Sequence, residues 1–188
     1  MKTIKIILGI IVSLAVIFAL IYANYGGFSK VKFQVKEEGG EVMVYKEITG
    51  PYQKSGEVIN KLHYNLMNDK IKTFKSIGVF YDDPKLVKSS MLHSEAGCIL
   101  ETADTSKVFW LRAKYDIKVC PVRKYIITEF PFKGKISILA NLVKVYPALS
   151  KYVKENNYTV TGPIIEIYDM PGKIIRYRQE LVSMGENK

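Results

Sequence analysis

Two stretches of this chain repeat one pattern. Ile77-Gly78-Val79-Phe80-Tyr81-Asp82-Asp83-Pro84 and Ile164-Ile165-Glu166-Ile167-Tyr168-Asp169-Met170-Pro171 each read as an apolar strand closed by Tyr-Asp-x-Pro. The tyrosines lie 87 positions apart (168 − 81), and so do the prolines (171 − 84). A duplicated strand ending implies a duplicated module. Two such modules are expected to pack about a pseudo-twofold axis, with a groove at the seam.

Local patterning fills in the modules. Residues 31–35 alternate apolar and polar, Glu37-Glu38-Gly39-Gly40 reads as a turn, and residues 41–48 are rich in β-formers, so a hairpin is expected. Gly50-Pro51 breaks the pattern, and Val58, Ile59, Leu62 and Leu66 then recur at helical spacing over residues 55–68. Strands follow at 75–81 and 94–101, the latter with Gly97 inside it, where a bulge or a close backbone approach is expected. The second half repeats the order. Residues 107–120 give a strand and turn with Trp110 as a core anchor, 124–132 a strand, and 135–155 a helix with Ile138, Leu142, Val145, Leu149 and Tyr152 along one side. Pro147 inside that helix predicts a kink. Strands at 163–168 and 173–182 flank a turn, and 184–188 reads as a frayed tail. Matching Glu47 to Glu129 gives an offset of 82 (129 − 47), so the helix-to-strand loop is expected to be about five residues longer in the second half. The fold class is thus α+β, a duplicated β-β-α-β-β domain at 29–182 with halves near 31–104 and 105–182.

The N-terminus is of a different kind. Residues 6–28 carry no charge, and 23 residues at about 1.5 Å each reach across a hydrocarbon core of about 30 Å. Tyr22 and Tyr25 sit near the far end, where amphipathic rings favour the interface. A cleaved signal peptide is the competing reading; its apolar core runs to roughly 7–15 residues, shorter than this one, and Ala23-Asn24-Tyr25 is a poor cleavage site. Residues 1–28 are therefore read as an uncleaved anchor with its flanks, and the lipid bilayer as a partner. Lys2 and Lys5 before the span nearly balance Lys30, Lys32 and Lys36 after it, so charge does not fix the orientation. Asn157-Tyr158-Thr159 is a glycosylation sequon, used only on the lumenal or extracellular side.

Composition narrows the function classes. Lysines spread along the chain give a net charge of +10 without a nucleic-acid-binding motif, so no nucleic acid is expected, and attraction to an anionic membrane surface fits the sign. Cys98 and Cys120, with His63 and His93 far apart, do not make a metal site, and reduced thiols are expected. No metal and no cofactor are expected. No Ser/His/Asp or Cys/His arrangement is visible, so a non-enzymatic role is favoured.

Strand alternation puts Ile164, Glu166 and Tyr168 on one face, and Ile165 and Ile167 on the other. The all-apolar face is expected on the helices, leaving Glu166 and Tyr168 at the seam groove. Aligned by the repeat, Val79 and Tyr81 take those positions in the first half, so the tyrosines recur while the carboxylate appears once. Tyr81, Tyr125, Tyr168 and Trp110 are the candidate aromatic walls for a cationic ligand, and Glu166 the candidate charge reader.

The chain resembles the GyrI-like small-molecule-binding domains over roughly residues 33–182. The resemblance rests on Gly78-Val79-Phe80-Tyr81-Asp82-Asp83-Pro84, Ala96-Gly97-Cys98-Ile99-Leu100 and Pro163-Ile164-Ile165-Glu166-Ile167-Tyr168. It implies an apolar or cationic small molecule as ligand, read by an acidic residue in the groove. Some members hydrolyse substrates with an acid and a tyrosine, which would make Glu166 a general base. Thr128-Glu129-Phe130-Pro131-Phe132, Leu86-Val87, Tyr146-Pro147-Ala148-Leu149 and Tyr152-Val153-Lys154-Glu155 resemble a membrane-anchored branch of the family. That branch implies a single-pass protein of the endoplasmic reticulum, its domain facing the cytosol, with an adaptor role in reticulophagy and an autophagy or reticulum protein as partner. Tyr45-Lys46-Glu47-Ile48 and Phe28-Ser29-Lys30-Val31 match only the spacing of an autophagy-protein-binding motif, an aromatic and an aliphatic separated by two residues, and not its acidic setting.

Overall fold

The computed structural model of the chain describes residues 2–25, 30–101 and 106–182. An apolar helix, α1 (Lys2–Asn24), precedes a domain of eight strands. In chain order these are β1 (Gln34–Glu38), β2 (Val42–Thr49), α2 (Lys54–Asn68), β3 (Lys75–Phe80), β4 (His93–Ile99), α3 (Val108–Leu111), β5 (Asp116–Val119), β6 (Arg123–Pro131), α4 (Lys135–Glu155), β7 (Thr159–Asp169) and β8 (Ile174–Val182). The expected duplicated β-β-α-β-β order is present, and all pairings are antiparallel in one sheet ordered β1-β6-β8-β7-β3-β4-β2-β5.

The expected β1–β2 hairpin does not form. β1 pairs with β6 of the second half, and β5 pairs with β2 of the first, so each half lends its first strand to the other. The linkers cross where Gly40 N–H donates to the Cys120 carbonyl and Cys120 N–H to that of Glu41, both at 2.8 Å. Gly39, at φ +124°, makes the crossing; a Cβ there would lie 2.1 Å from the Pro121 carbonyl oxygen. Six strand spacings of about 4.8 Å would separate β1 from β2 in a flat sheet, farther than residues 39–41 can reach at about 3.6 Å each. The sheet therefore curls, with Met43, Ile77, Val79, Ile99, Tyr125, Ile127, Ile165 and Ile167 forming a core on its inner face.

The outer face carries the helices. Leu62 and Leu66 of α2 pack on Val44, Cys98 and Leu100, and Val145 of α4 on Phe130, Ile175 and Tyr177. Gly97 lies where a Cβ would meet the Val44 carbonyl at 1.9 Å, so of the two expectations for it, close approach is the one seen. Trp110 is not a core anchor. Residues 108–111 form one helical turn, Leu111 takes the buried position, and the indole is 41% exposed beside Lys114. The longer second loop is also corrected: residues 156–158 join α4 to β7, against 69–74 in the first half, because the additional residues extend β7. α4 runs unbroken from Lys135 to Glu155 with Pro147 inside it. Its buried residues are Ser137, Asn141, Val145 and Leu149, while Leu142 is 42% exposed. Cys98 and Cys120 are free, on opposite faces of the sheet. Phe28 and residues 184–188 lie outside the described residues.

Candidate functional site

β7 is the central strand that meets the first half, and its pairing with β3 decides what each face holds. Gly78 lies opposite Glu166 and Val79 opposite Ile165. Ile165 and Ile167 belong to the inner core, so Glu166 and Tyr168 point outward beneath α4, the reverse of the sequence expectation. Tyr168 approaches Phe132 edge-on, and Tyr146 of α4 approaches Tyr177 of β8 in the same way. Tyr146 donates a 2.8 Å hydrogen bond to Glu166 Oε1, and Tyr168 donates one to Oε2.

The carboxylate is 3% exposed. Burial pushes its pKa up, and the hydroxyls of Tyr168 and Tyr146 only partly draw it back, so the net direction is upward. Burial, together with the Glu166 charge, raises the phenols of Tyr146, Tyr168 and Tyr177 in turn. Among the described residues no lysine or arginine contributes to the environment of Glu166. Arg178, at a paired position next to Ile165, faces the other way, fully buried and forked onto Glu41 at 2.7 and 2.9 Å, with the Tyr125 ring 4.9 Å from its guanidinium.

Further polar atoms without complete partners lie in the same row across the sheet, where Tyr177 is opposite Glu166 and Thr128 opposite Tyr177, and on α4. The Tyr177 hydroxyl, Asn141 Nδ2 and Thr128 Oγ1 are buried with no hydrogen bond made. Asn141 is close enough to the Tyr177 hydroxyl to hold its pKa down somewhat, but the two groups do not reach hydrogen-bond geometry. Buried polar atoms left unpaired cost about 1–3 kcal/mol each. A region holding these three atoms beside a carboxylate and the phenols of Tyr146 and Tyr168 is suited to receiving a polar or charged guest. As it stands it is poorly suited to general-base chemistry, because each carboxylate oxygen already accepts a hydrogen bond from a phenol.

The sequence-derived aromatic residues do not converge. Tyr81 is 47% exposed on the inner-face side, raised by burial and then by Glu95, while Lys118 bonds Glu95. Tyr125 is buried in the inner core and donates to the Pro121 carbonyl at 3.2 Å. Only Tyr168 joins Glu166. Tyr146 and Tyr177 escaped the sequence reading because α4 and β8 reach the site from other parts of the chain; the available signal was Tyr146 on the helical stripe containing Leu142 and Leu149.

A cleft of about 380 Å³ opens on the inner face near Glu41, Lys75, Glu101, Asp169 and Arg176. Arg176 there pairs with Glu129 and Glu38, and Lys75 with Asp169, while Glu101 Oε1 is buried without a hydrogen bond. The Glu166 cluster is the better candidate, because its carboxylate is almost wholly buried and bordered by three tyrosine rings.

The sequence matches the GyrI-like small molecule binding domain over residues 32–180. It is similar to testis-expressed protein 264 of Homo sapiens, 27% identical over 175 residues, which cover 87% of this chain and 54% of that protein. The Mus musculus homolog is likewise 27% identical over 175 residues, covering 87% of this chain and 55% of its own length. The chain thus spans about half the length of these curated relatives. The structure is similar to the EcmrR C-terminal domain, with TM-score 0.58 and 11% identity over 82% of this chain and 99% of that one. It is also similar to SAV2435 bound to tetraphenylphosphonium, with TM-score 0.55 and 12% identity over 83% and 97%. At these identities the likeness concerns the fold.

Proposed function

The chain belongs to the GyrI-like small-molecule-binding domains, and from that premise we propose that it is a membrane-anchored member whose Glu166 cluster receives an apolar organic cation. The observation that carries this reading is the buried Glu166 carboxylate, held by two phenols and matched by no basic side chain among the described residues. An unmatched buried charge is costly, and an arriving cation offsets that cost. The rings of Tyr146, Tyr168 and Tyr177 supply flat negative faces for a delocalised cation. That SAV2435, a protein of similar fold, is bound to tetraphenylphosphonium supports the ligand class and supplies a probe. Tyr146 lies on α4, so admission of a guest requires α4 to shift from the sheet.

The anchor is α1, whose stretch Ile4–Asn24 is long and apolar enough to cross a bilayer and lies wholly exposed. An endoplasmic-reticulum location with the domain in the cytosol is supported by the resemblance to the anchored branch and by two free thiols. The adaptor role in reticulophagy rests on the same resemblance. Tyr45–Ile48 is a poor docking motif for it, since these residues are paired inside β2 with β4, and Ile48 is buried.

Two measurements test the reading. Calorimetry on the full chain in detergent is expected to show saturable tetraphenylphosphonium binding; no binding refutes the ligand class. Glycosidase treatment of the chain from cells is expected to leave its mobility unchanged; glycan on Asn157 puts the domain outside the cytosol and removes the autophagy role.

A further inference from the structure

α4 is apolar on two sides. Its inward stripe, Ser137, Asn141, Val145 and Leu149, is buried against the sheet. Its outward stripe repeats Ile136, Leu139, Ala140 and Val143 at i, i+3, i+4 and i+7, one helical face. Ile136 is 53% exposed, Leu139 67% and Val143 79%. Beyond Pro147 the exposed residues turn polar, with Ser150, Lys151 and Glu155. The first half of α4 is therefore the part that lacks a partner, and a contiguous apolar helix face open to water signals one.

The position of α1 says what the partner is. Phe18, Ile21, Tyr22 and Tyr25 from its last turns face Ile136, Leu139, Ala140 and Val143 across a space of about 300 Å³. Lys133 donates from Nζ to the Asn24 backbone oxygen at 2.7 Å and to Asn24 Oδ1 at 3.0 Å, binding the negative C-terminal end of α1. The start of α4 is thereby held at the point where α1 ends. Tyr22 and Tyr25 are residues of the kind that sit at headgroup depth, and Lys133, held to Asn24 at the end of α1, carries its ammonium group to the same level. Amphipathic helices with such a stripe lie in the interface plane with their apolar side among the acyl chains.

We propose that Ile136, Leu139, Ala140 and Val143 of α4 form an interfacial membrane-binding surface, seated in the lipid that surrounds α1. This rests on the reading of α1 as an anchor. The occupant is lipid rather than a second copy, because the stripe is continuous with the helix that itself needs lipid and ends where α4 turns polar. The consequence concerns the site: the helix that supplies Tyr146 to Glu166 has its other side in the membrane, so an amphiphilic cation partitioned at the headgroups reaches the cluster from the bilayer.

The test uses the full chain in phosphatidylcholine–phosphatidylserine vesicles. An environment-sensitive fluorophore is placed through Leu139→Cys, Val143→Cys, Ser150→Cys or Val12→Cys. Cys98 and Cys120 stay unlabelled, being buried, with the Cys98 thiol pushed up to about 11 by burial. Labels at positions 139, 143 and 12 are expected to shift to the blue and to be quenched severalfold by nitroxide-bearing lipid; the label at 150 is not. If the label at 12 is quenched while those at 139 and 143 remain in water, or shift to the blue without quenching, the surface faces solvent or protein. The proposal then fails and the anchor stands. If the label at 12 is not quenched, the anchor reading fails and takes the proposal with it.

Discussion

Glu166→Gln separates charge from shape. Glutamine is nearly isosteric: its oxygen accepts from one of the two phenols, Tyr146 or Tyr168, and its amide N–H donates to the other's oxygen, so the fold beneath α4 is retained. What is lost is the attraction for a cation. At a separation of about 6 Å and an effective dielectric of about 20, a unit charge pair is worth roughly 3 kcal/mol. That corresponds to about a hundredfold in affinity for tetraphenylphosphonium. The pH dependence carries an independent signature. The folded pKa of Glu166 is raised, through burial against the pull of two phenol donors. A cation favours the ionised form, so binding releases a proton, and affinity rises with pH until the folded pKa is passed. Stability moves the opposite way. Between the unfolded value near 4.5 and the higher folded value, the native state holds a proton that the unfolded chain has released. The contribution of this group is full below the unfolded pKa and falls as pH rises through the folded one. In the Gln variant both slopes vanish. Calorimetry in buffers of different ionisation enthalpy counts the proton, and urea unfolding across the pH range gives the stability slope. A variant that binds tetraphenylphosphonium as tightly as the wild type, with the same proton release, refutes the assignment of the charge to Glu166.

The strand exchange and the sheet supply three further tests. Arg178→Ala leaves Glu41 and Glu38 facing each other without their buried cation, and is expected to cost about 3–5 kcal/mol in urea unfolding. Burial raises the Glu41 pKa, but the hydrogen bonds and charge of Arg178 outweigh it, and the net shift is downward; its stabilisation is present above the unfolded value of 4.5 and is lost as pH falls through the folded one, so Glu41→Gln should flatten this acid limb of the stability curve. Gly97→Ala pushes a methyl into the Val44 carbonyl and is expected to lower stability by about 3 kcal/mol, whereas Gly56→Ala, in α2 with nothing near its Cβ, should raise it by about 1 kcal/mol in the same denaturation assay.

Periodicity located most elements because it is a local property. The helix at residues 135–155 was legible to the residue, and so was the start of β3 at Lys75. The exchange of β1 and β5 was not, because a three-residue linker beginning Gly39-Gly40 looks the same whether the strands fold back on each other or cross a neighbouring linker. What distinguishes the two is the Pro121 carbonyl against Gly39, a contact 82 residues away in sequence (121 − 39). Trp110 failed for a related reason. A large aromatic is a good core residue, but a single helical turn can bury only one side, and Leu111 occupies it.

The repeat that organised the sequence aligns turns, not strands. Asp82 accepts from the His93 N–H, and Asp169 from the Gly172 N–H at 2.8 Å, so both copies of Tyr-Asp-x-Pro do turn chemistry at strand ends. A twofold axis perpendicular to the sheet must carry each residue to the same face. An offset of 87 carries Val79, on the inner face, to Glu166, on the outer, and therefore cannot be the structural symmetry. An offset of 88 (166 − 78) matches Gly78 with Glu166 and Phe80 with Tyr168, and the faces agree: Phe80 packs edge-on against Tyr52 at the start of α2, as Tyr168 packs beneath α4. One residue of slip turns every side chain over, which is why the sequence put Glu166 on the inner side of the sheet whereas the structure places it under α4. The corrected alignment also shows how the two halves differ at this position. In the first half the position is a glycine, and the Phe80 ring folds over it so closely that a Cβ would lie 2.8 Å from Cζ. In the second half the same position extends a carboxylate into the space under its helix, and the tyrosines around it have hydroxyls to offer.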